Sequence, residues 1–152
     1  MPFSLTSLAD DHPSFRTHGG VRNDLEAACA RHPYIATFME LGPSEEGAML
    51  YGVRLGTGEH TVSLIAGNHA DEPVGPETLR SFVLNTLDQR NKMEPWLRRF
   101  TFAIVPHTNP DGEARNRRWI EAWPDVEAYL RHAVREEPGR DLEYGYPSMR
   151  PE

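Results

Sequence analysis

Residues 61–77 read TVSLIAGNHADEPVGPE. The apolar residues Val62, Leu64, Ile65 and Ala66 end at Gly67, and His69 and Glu72 follow three residues apart. Pro73, Gly75 and Pro76 then lead into an amphipathic stretch. A strand that stops and presents His-x-x-Glu on a glycine-bounded turn can aim an imidazole and a carboxylate at one divalent metal. Alone the pattern is unspecific. A surface histidine and a glutamate near a helix N-terminus, where negative charge is favoured, would read the same way.

Working outward, residues 76–91 place Leu79, Phe82, Val83 and Leu87 at helical spacing. FTFAIV (100–105) is a second strongly apolar run. Strand, helix, strand is one βαβ unit, which predicts a parallel pair with a right-handed crossover. Upstream, residues 34–41 and 48–55 alternate as two strands around Gly42-Pro43-Ser44 and read as a hairpin. A helix is expected from Asn23 to His32, stopped by Pro33, with residues 1–22 as an irregular arm. The strand at 61–66 is apolar enough to expect cover on both faces. Downstream, residues 107–119 (HTNPDGEARNRRW) read as a polar loop and 125–136 as a helix. Asn109-Pro110-Asp111-Gly112 alone is a good β-turn sequence. The two least periodic stretches, 67–77 and 107–119, both follow strand C-termini, the edge where open α/β sheets bind ligands.

The 152 residues suit one domain, and 38% hydrophobic with 26% charged residues is a globular composition. The net charge of −7 and the lack of a dense basic run exclude nucleic acid as the main partner. One cysteine, Cys29, allows neither an internal disulfide nor a cysteine zinc cluster and reads as a small core residue. The N-terminus lacks a signal-peptide pattern and no segment has the length of a membrane span, so a cytoplasmic protein is expected.

Strand, G-N-H-x-x-E, helix, strand, P-x-x-N-P-D-G and an Arg/Trp-rich segment, over roughly Ala48 to Trp119, resemble the zinc carboxypeptidase family, the funnelin-type metallopeptidases. The resemblance implies a three-layer α/β/α fold with a mixed sheet, Zn2+, and a peptide or acylated amino-acid substrate. It implies His69 and Glu72 as the first two zinc ligands and Asn109 and Asp111 beside the site. It further implies an arginine downstream that polarises the scissile carbonyl, for which Arg117 and Arg118 are the candidates and Arg115 remains open. Asp141 would accept a hydrogen bond from the ligand histidine. The family's Asn-Arg pair for the substrate carboxylate is replaced by Leu142-Glu143-Tyr144. That departure keeps open an amidohydrolase resembling the aspartoacylase and succinylglutamate desuccinylase branch.

The family's third ligand, a later histidine, and its general-base glutamate have no counterparts by Glu152. His107, at the same strand edge as His69, is open as either a ligand or a residue lining the site. The expectation is therefore the N-terminal part of a catalytic domain, residues 23–152. It would be weakly active or inactive alone and prone to self-association through exposed sheet edges. A non-catalytic metal- or peptide-binding module and an unrelated α/β domain are the alternatives.

Overall fold

The computed structural model describes residues 14–136. They run α1 (His18–Arg31), β1 (Ala36–Pro43), β2 (Met49–Leu55), β3 (His60–Ile65), α2 (Val74–Asp88), α3 (Arg90–Arg99), β4 (Phe100–Val105), α4 (Pro110–Ile120) and α5 (Val126–His132). No helix among them is long and apolar enough to cross a membrane.

The four strands form one mixed sheet in the order β1-β2-β4-β3. β1 and β2 pair antiparallel, from Ala36 opposite Leu55 to Pro43 opposite Met49, as the hairpin pattern predicts. β2 also runs antiparallel to β4, and β3 lies parallel to β4, from His60 beside Phe100 to Ile65 beside Val105. The βαβ expectation therefore holds. This order brings the ends of β3 and β4 and the β1–β2 turn to one edge of the sheet.

Every second residue of the two central strands faces a helical layer. Tyr51, Val53 and Leu55 of β2 and Ile104 of β4 are buried with Val21, Leu25, Ala28 and Cys29 of α1, Val83 and Leu87 of α2, and Met93 and Leu97 of α3. Cys29 is the buried core residue its sequence context suggests. On the opposite face Arg54, Ser63 and Ile65 are exposed. β3 is thus covered on one face among the described residues, not on both. Val62 and Leu64 point into the helical side, and Ile65 does not share it.

Three elements differ from their sequence reading. α1 begins at His18, so residues 18–22 belong to a helix and not to an arm. The Thr17 hydroxyl caps it by accepting from the Gly20 N–H. Burial of Val21 outweighs the cost of Gly19 and Gly20, about 1 kcal/mol each relative to alanine. The helix expected over 76–91 is α2, which breaks at Gln89 and continues as α3 despite Pro95. The stretch 107–119 is mostly helix, because N-P-D-G starts α4. Asn109 is its N-cap, accepting from the Gly112 N–H, and Pro110 fills the first turn, where a missing N–H costs nothing.

Leu55 is fully buried in the layer between sheet and helices. Leu55→Ala is expected to lower unfolding stability by about 2–5 kcal/mol, while Arg54→Ala on the exposed face stays within about 0.5 kcal/mol. Urea denaturation of the two variants measures both.

Candidate metal centre

The parallel pairing of β3 and β4 continues past the strand ends. The Ala66 N–H donates to the Val105 carbonyl at 3.0 Å. The Thr108 and Asn109 N–H groups then donate back to the Ala66 and Gly67 carbonyls, each at 3.1 Å. The Thr108 hydroxyl also bonds the Asn68 side chain, and the Asn109 amide donates to the Asn68 carbonyl. Two loops about forty residues apart in sequence are thereby held as one unit. Gly67 adopts φ +74°, and a Cβ there would lie 3.0 Å from the His107 Cα, so the turn that releases His69 needs glycine twice over.

Gly112 makes the second close approach. A Cβ at Gly112 would lie 2.7 Å from the Ala70 methyl. The glycine of N-P-D-G thus lets α4 press against the loop carrying His69 and Glu72. Asp111 ties α4 to the hairpin turn, accepting from the Ser44 hydroxyl at 2.6 Å and from the Glu46 N–H at 3.2 Å.

The His69 Nδ1 and Glu72 Oε2 atoms are 3.4 Å apart. A tetrahedral metal with zinc–nitrogen and zinc–oxygen bonds of about 2.0–2.2 Å separates neighbouring ligand atoms by about 3.3 Å. The pair therefore fits two corners of a zinc site. Among the described residues no group of three or more metal-ligating side chains forms, here or elsewhere.

Arg135 completes the cluster. Its Nη1 donates to Glu72 Oε1 at 3.0 Å, its Nη2 donates to His69 Nδ1 at 2.9 Å, and Nη1 lies 3.5 Å from Asp71 Oδ2. The hydrogen bond from Arg135 is the main reason the Glu72 carboxyl is held below its ordinary pKa, with His69 adding in the same direction. Arg135 reaches the loop because Asn116, fully buried on α4, clasps the preceding residue. The Asn116 amide donates to the Val134 carbonyl at 2.7 Å and its oxygen accepts from the Val134 N–H at 2.8 Å. The Trp119 indole N–H also donates to that oxygen, at 2.7 Å, and fixes the amide. Sequence pattern gave no sign of Arg135. The helix expected over 125–136 ends at His132, so Arg135 lies beyond it, and its position depends on Asn116, eighteen residues before Val134.

A cleft of about 530 Å³ opens beside the cluster, lined by residues including Ser44, Asn68, His69, Asn109, Asp111, Arg115 and Arg135. Asn109 and Asp111 thus line it, as expected of them. Arg117 and Arg118 do not; Arg117 lies 3.7 Å from Glu113. The arginine of α4 in the cleft wall is Arg115, paired with Glu46 and Glu136. His107 is neither in the cleft wall nor grouped with His69 and Glu72. It is buried beneath Gly67, edge-on to His18 with ring centroids 5.3 Å apart. Burial lowers the His107 pKa to about 3 and that of His18 to about 4. Glu113, buried nearby, is shifted up by the same cause. Asp141 lies outside the described residues.

The zinc carboxypeptidase family model matches residues 21–147. Zinc carboxypeptidase A 1 of Drosophila melanogaster is 28% identical over 109 residues, covering 62% of this chain and 25% of that protein. Zinc carboxypeptidase A 1 of Anopheles gambiae is 31% identical over 103 residues, covering 62% of this chain and 24% of that protein. The chain spans about a quarter of the length of these curated relatives. Bovine thrombin-activatable fibrinolysis inhibitor, solved in complex with tick carboxypeptidase inhibitor, shares the fold. Its TM-score is 0.64 at 20% identity, over 82% of this chain and 38% of that one. Carboxypeptidase A from Helicoverpa armigera does so with a TM-score of 0.61 at 20% identity, over 67% and 26% of the two chains.

Two outcomes follow from the packing under the site. Gly112→Ala should displace Ala70 and cost about 1–3 kcal/mol in urea unfolding. His107 and His18 bind protons more readily when unfolded, so their contribution is complete above about pH 6.5 and is lost as pH falls toward their folded values. Glu113, whose carboxyl is shifted up by burial, acts with the opposite sign, its contribution being complete at low pH and lost as pH rises through its folded value. Urea midpoints between pH 7 and 4 should therefore fall for the wild type and fall less steeply for His107→Gln.

Proposed function

The chain belongs to the zinc carboxypeptidase family, and on that premise we propose that it is the N-terminal part of the catalytic domain of a zinc-dependent hydrolase of peptide or amide bonds. The observation that carries the reading is the 3.4 Å separation of His69 Nδ1 and Glu72 Oε2, an edge of the expected coordination tetrahedron. These two residues would hold the metal. Zinc, when bound, supplies an acidified water and a Lewis acid for the scissile carbonyl.

The chain's own residues do the rest of what this part of the domain offers. We assign to Arg135, which lines the cleft beside the His69–Glu72 loop, the donation to an oxyanion formed there. Arg117 and Arg118, the candidates from the sequence, are not among the residues lining that cleft. Asn109 and Thr108 hold the loop by hydrogen bonds and line the cleft wall. Glu72 is a ligand in this scheme, so general-base work falls to a group outside the described residues. A two-ligand centre also predicts weak metal retention and little turnover by this chain alone. The exposed edge of β3 offers a route to self-association. Leu142-Glu143-Tyr144, in place of the Asn-Arg pair, favours a second reading, an amidohydrolase whose substrate lacks a free α-carboxylate.

In a longer form of the protein that retains zinc, His69→Ala and Glu72→Ala should each abolish that retention after gel filtration, read by elemental analysis; stoichiometric zinc in the double variant overturns the assignment. Where turnover is measurable, Arg135→Ala should lower kcat by about 10²–10³, with Arg117→Ala and Arg118→Ala near wild type. Peptides with free and blocked C-termini separate the peptidase from the amidohydrolase.

A further inference from the structure

Arg135 does more than stand beside the ligand pair. A guanidinium has only N–H donors, so the His69 Nδ1 and Glu72 Oε1 atoms both turn lone pairs toward it. The Nδ1 lone pair is the one that a metal held by the two side chains would take, and the Glu72 carboxylate is shared between the guanidinium on Oε1 and the metal's side on Oε2. We propose that Arg135 is a built-in competitor for the metal, a cation of the chain that occupies the ligand pair and must be displaced for a divalent ion to enter. The inference rests on the reading of His69 and Glu72 as ligands and adds a control of their occupancy.

The surroundings suit an exchange of one cation for another. Asp71, with its side chain 12% exposed, lies within 3.5 Å of the same guanidinium nitrogen, so three side chains of one loop converge on a single positive group. The Arg135 side chain is 41% exposed, so its departure opens no core. Asn116 holds the backbone at Val134, so displacement needs rotation of one side chain and no movement of the chain. The cleft beside it is lined by Glu45, Glu46, Asp111 and Glu136, which can receive the displaced charge.

The test is zinc affinity, measured by competition with a chromophoric chelator on the full chain first stripped of metal. Arg135→Ala should bind zinc about two- to fivefold more tightly than wild type, since an exposed charged pair no longer has to be broken. Arg115→Ala, which removes an equal charge from the same cleft without touching His69 or Glu72, should change affinity less than twofold. Unchanged or weaker binding by Arg135→Ala overturns the competition and makes Arg135 a support for the ligands. An equal gain in Arg115→Ala overturns it as well, because net charge alone would then explain the effect. Zinc uptake indifferent to His69→Ala and Glu72→Ala would instead sink the metal site itself. Hydrogen exchange gives a second measure, because Arg135 should lose its hold on the loop when zinc is added. Amides of residues 69–72 that respond to zinc identically in wild type and Arg135→Ala would count against displacement.

Discussion

The hydrogen bonds that carry the β3–β4 pairing beyond the strands are the constraint on which the site depends. Val105, Ala66 and Gly67 supply the carbonyls, and Ala66, Thr108 and Asn109 supply the N–H groups. Parallel strands normally diverge once their ladder ends. Here the backbone continues to pair through the turn, so the loop that carries His69 and the loop that starts α4 move as one body. No side chain in the ladder has to be of a particular chemistry. Only Gly67, with its positive φ and the His107 backbone against it, is fixed by the geometry. Histidine and glutamate are therefore presented by a frame whose rigidity owes nothing to them.

Much of this frame was legible in the residues. The apolar runs at 62–66 and 100–105 marked the paired strands, although β3 is covered on one face only among the described residues, and the hairpin alternated because one of its faces meets the core. His69 and Glu72 stood out only in combination, because H-x-x-E alone is unspecific and gained meaning from N-P-D-G at the end of the neighbouring strand. N-P-D-G was read correctly in composition and wrongly in state. A type I turn and the first turn of a helix have nearly the same backbone angles, and Asn then Pro open either one. What separates them is whether the residues that follow find a core, and Trp119 and Ile120 do so only through tertiary packing. α3 was hidden for a similar reason. Pro95 and the charged run around it argue against a helix locally, and burial of Met93 and Leu97 overrides that.

The place of Arg135 beside His69 and Glu72 was beyond reach for a different reason. A charged residue near a motif in sequence is a natural first candidate, and Arg117 and Arg118 are near. Helical geometry separates them from Arg115 around α4, and only Arg115 lines the cleft. Arg135 arrives from beyond α5, because a buried asparagine holds the backbone beside it. Asn116 looked like an ordinary polar residue in a polar stretch. Its burial turns it into the joint that sets where a guanidinium lies. Buried polar side chains with every group partnered specify position more than they add stability.

The same clasp bears on the order in which the molecule assembles. Arg135 meets Glu72 across 63 residues of chain and His69 across 66, whereas Asn116 meets Val134 across 18. Contacts between distant residues wait on loop closure, and shorter loops close first. The α4–α5 corner, with Trp119, Asn116 and Val134, can therefore form while the sheet is still incomplete, carrying Arg135 ready on its rim. The His69–Glu72 loop acquires its frame only when β3 and β4 align. The ion pair between the two therefore joins parts of the molecule that take shape through contacts of very different range.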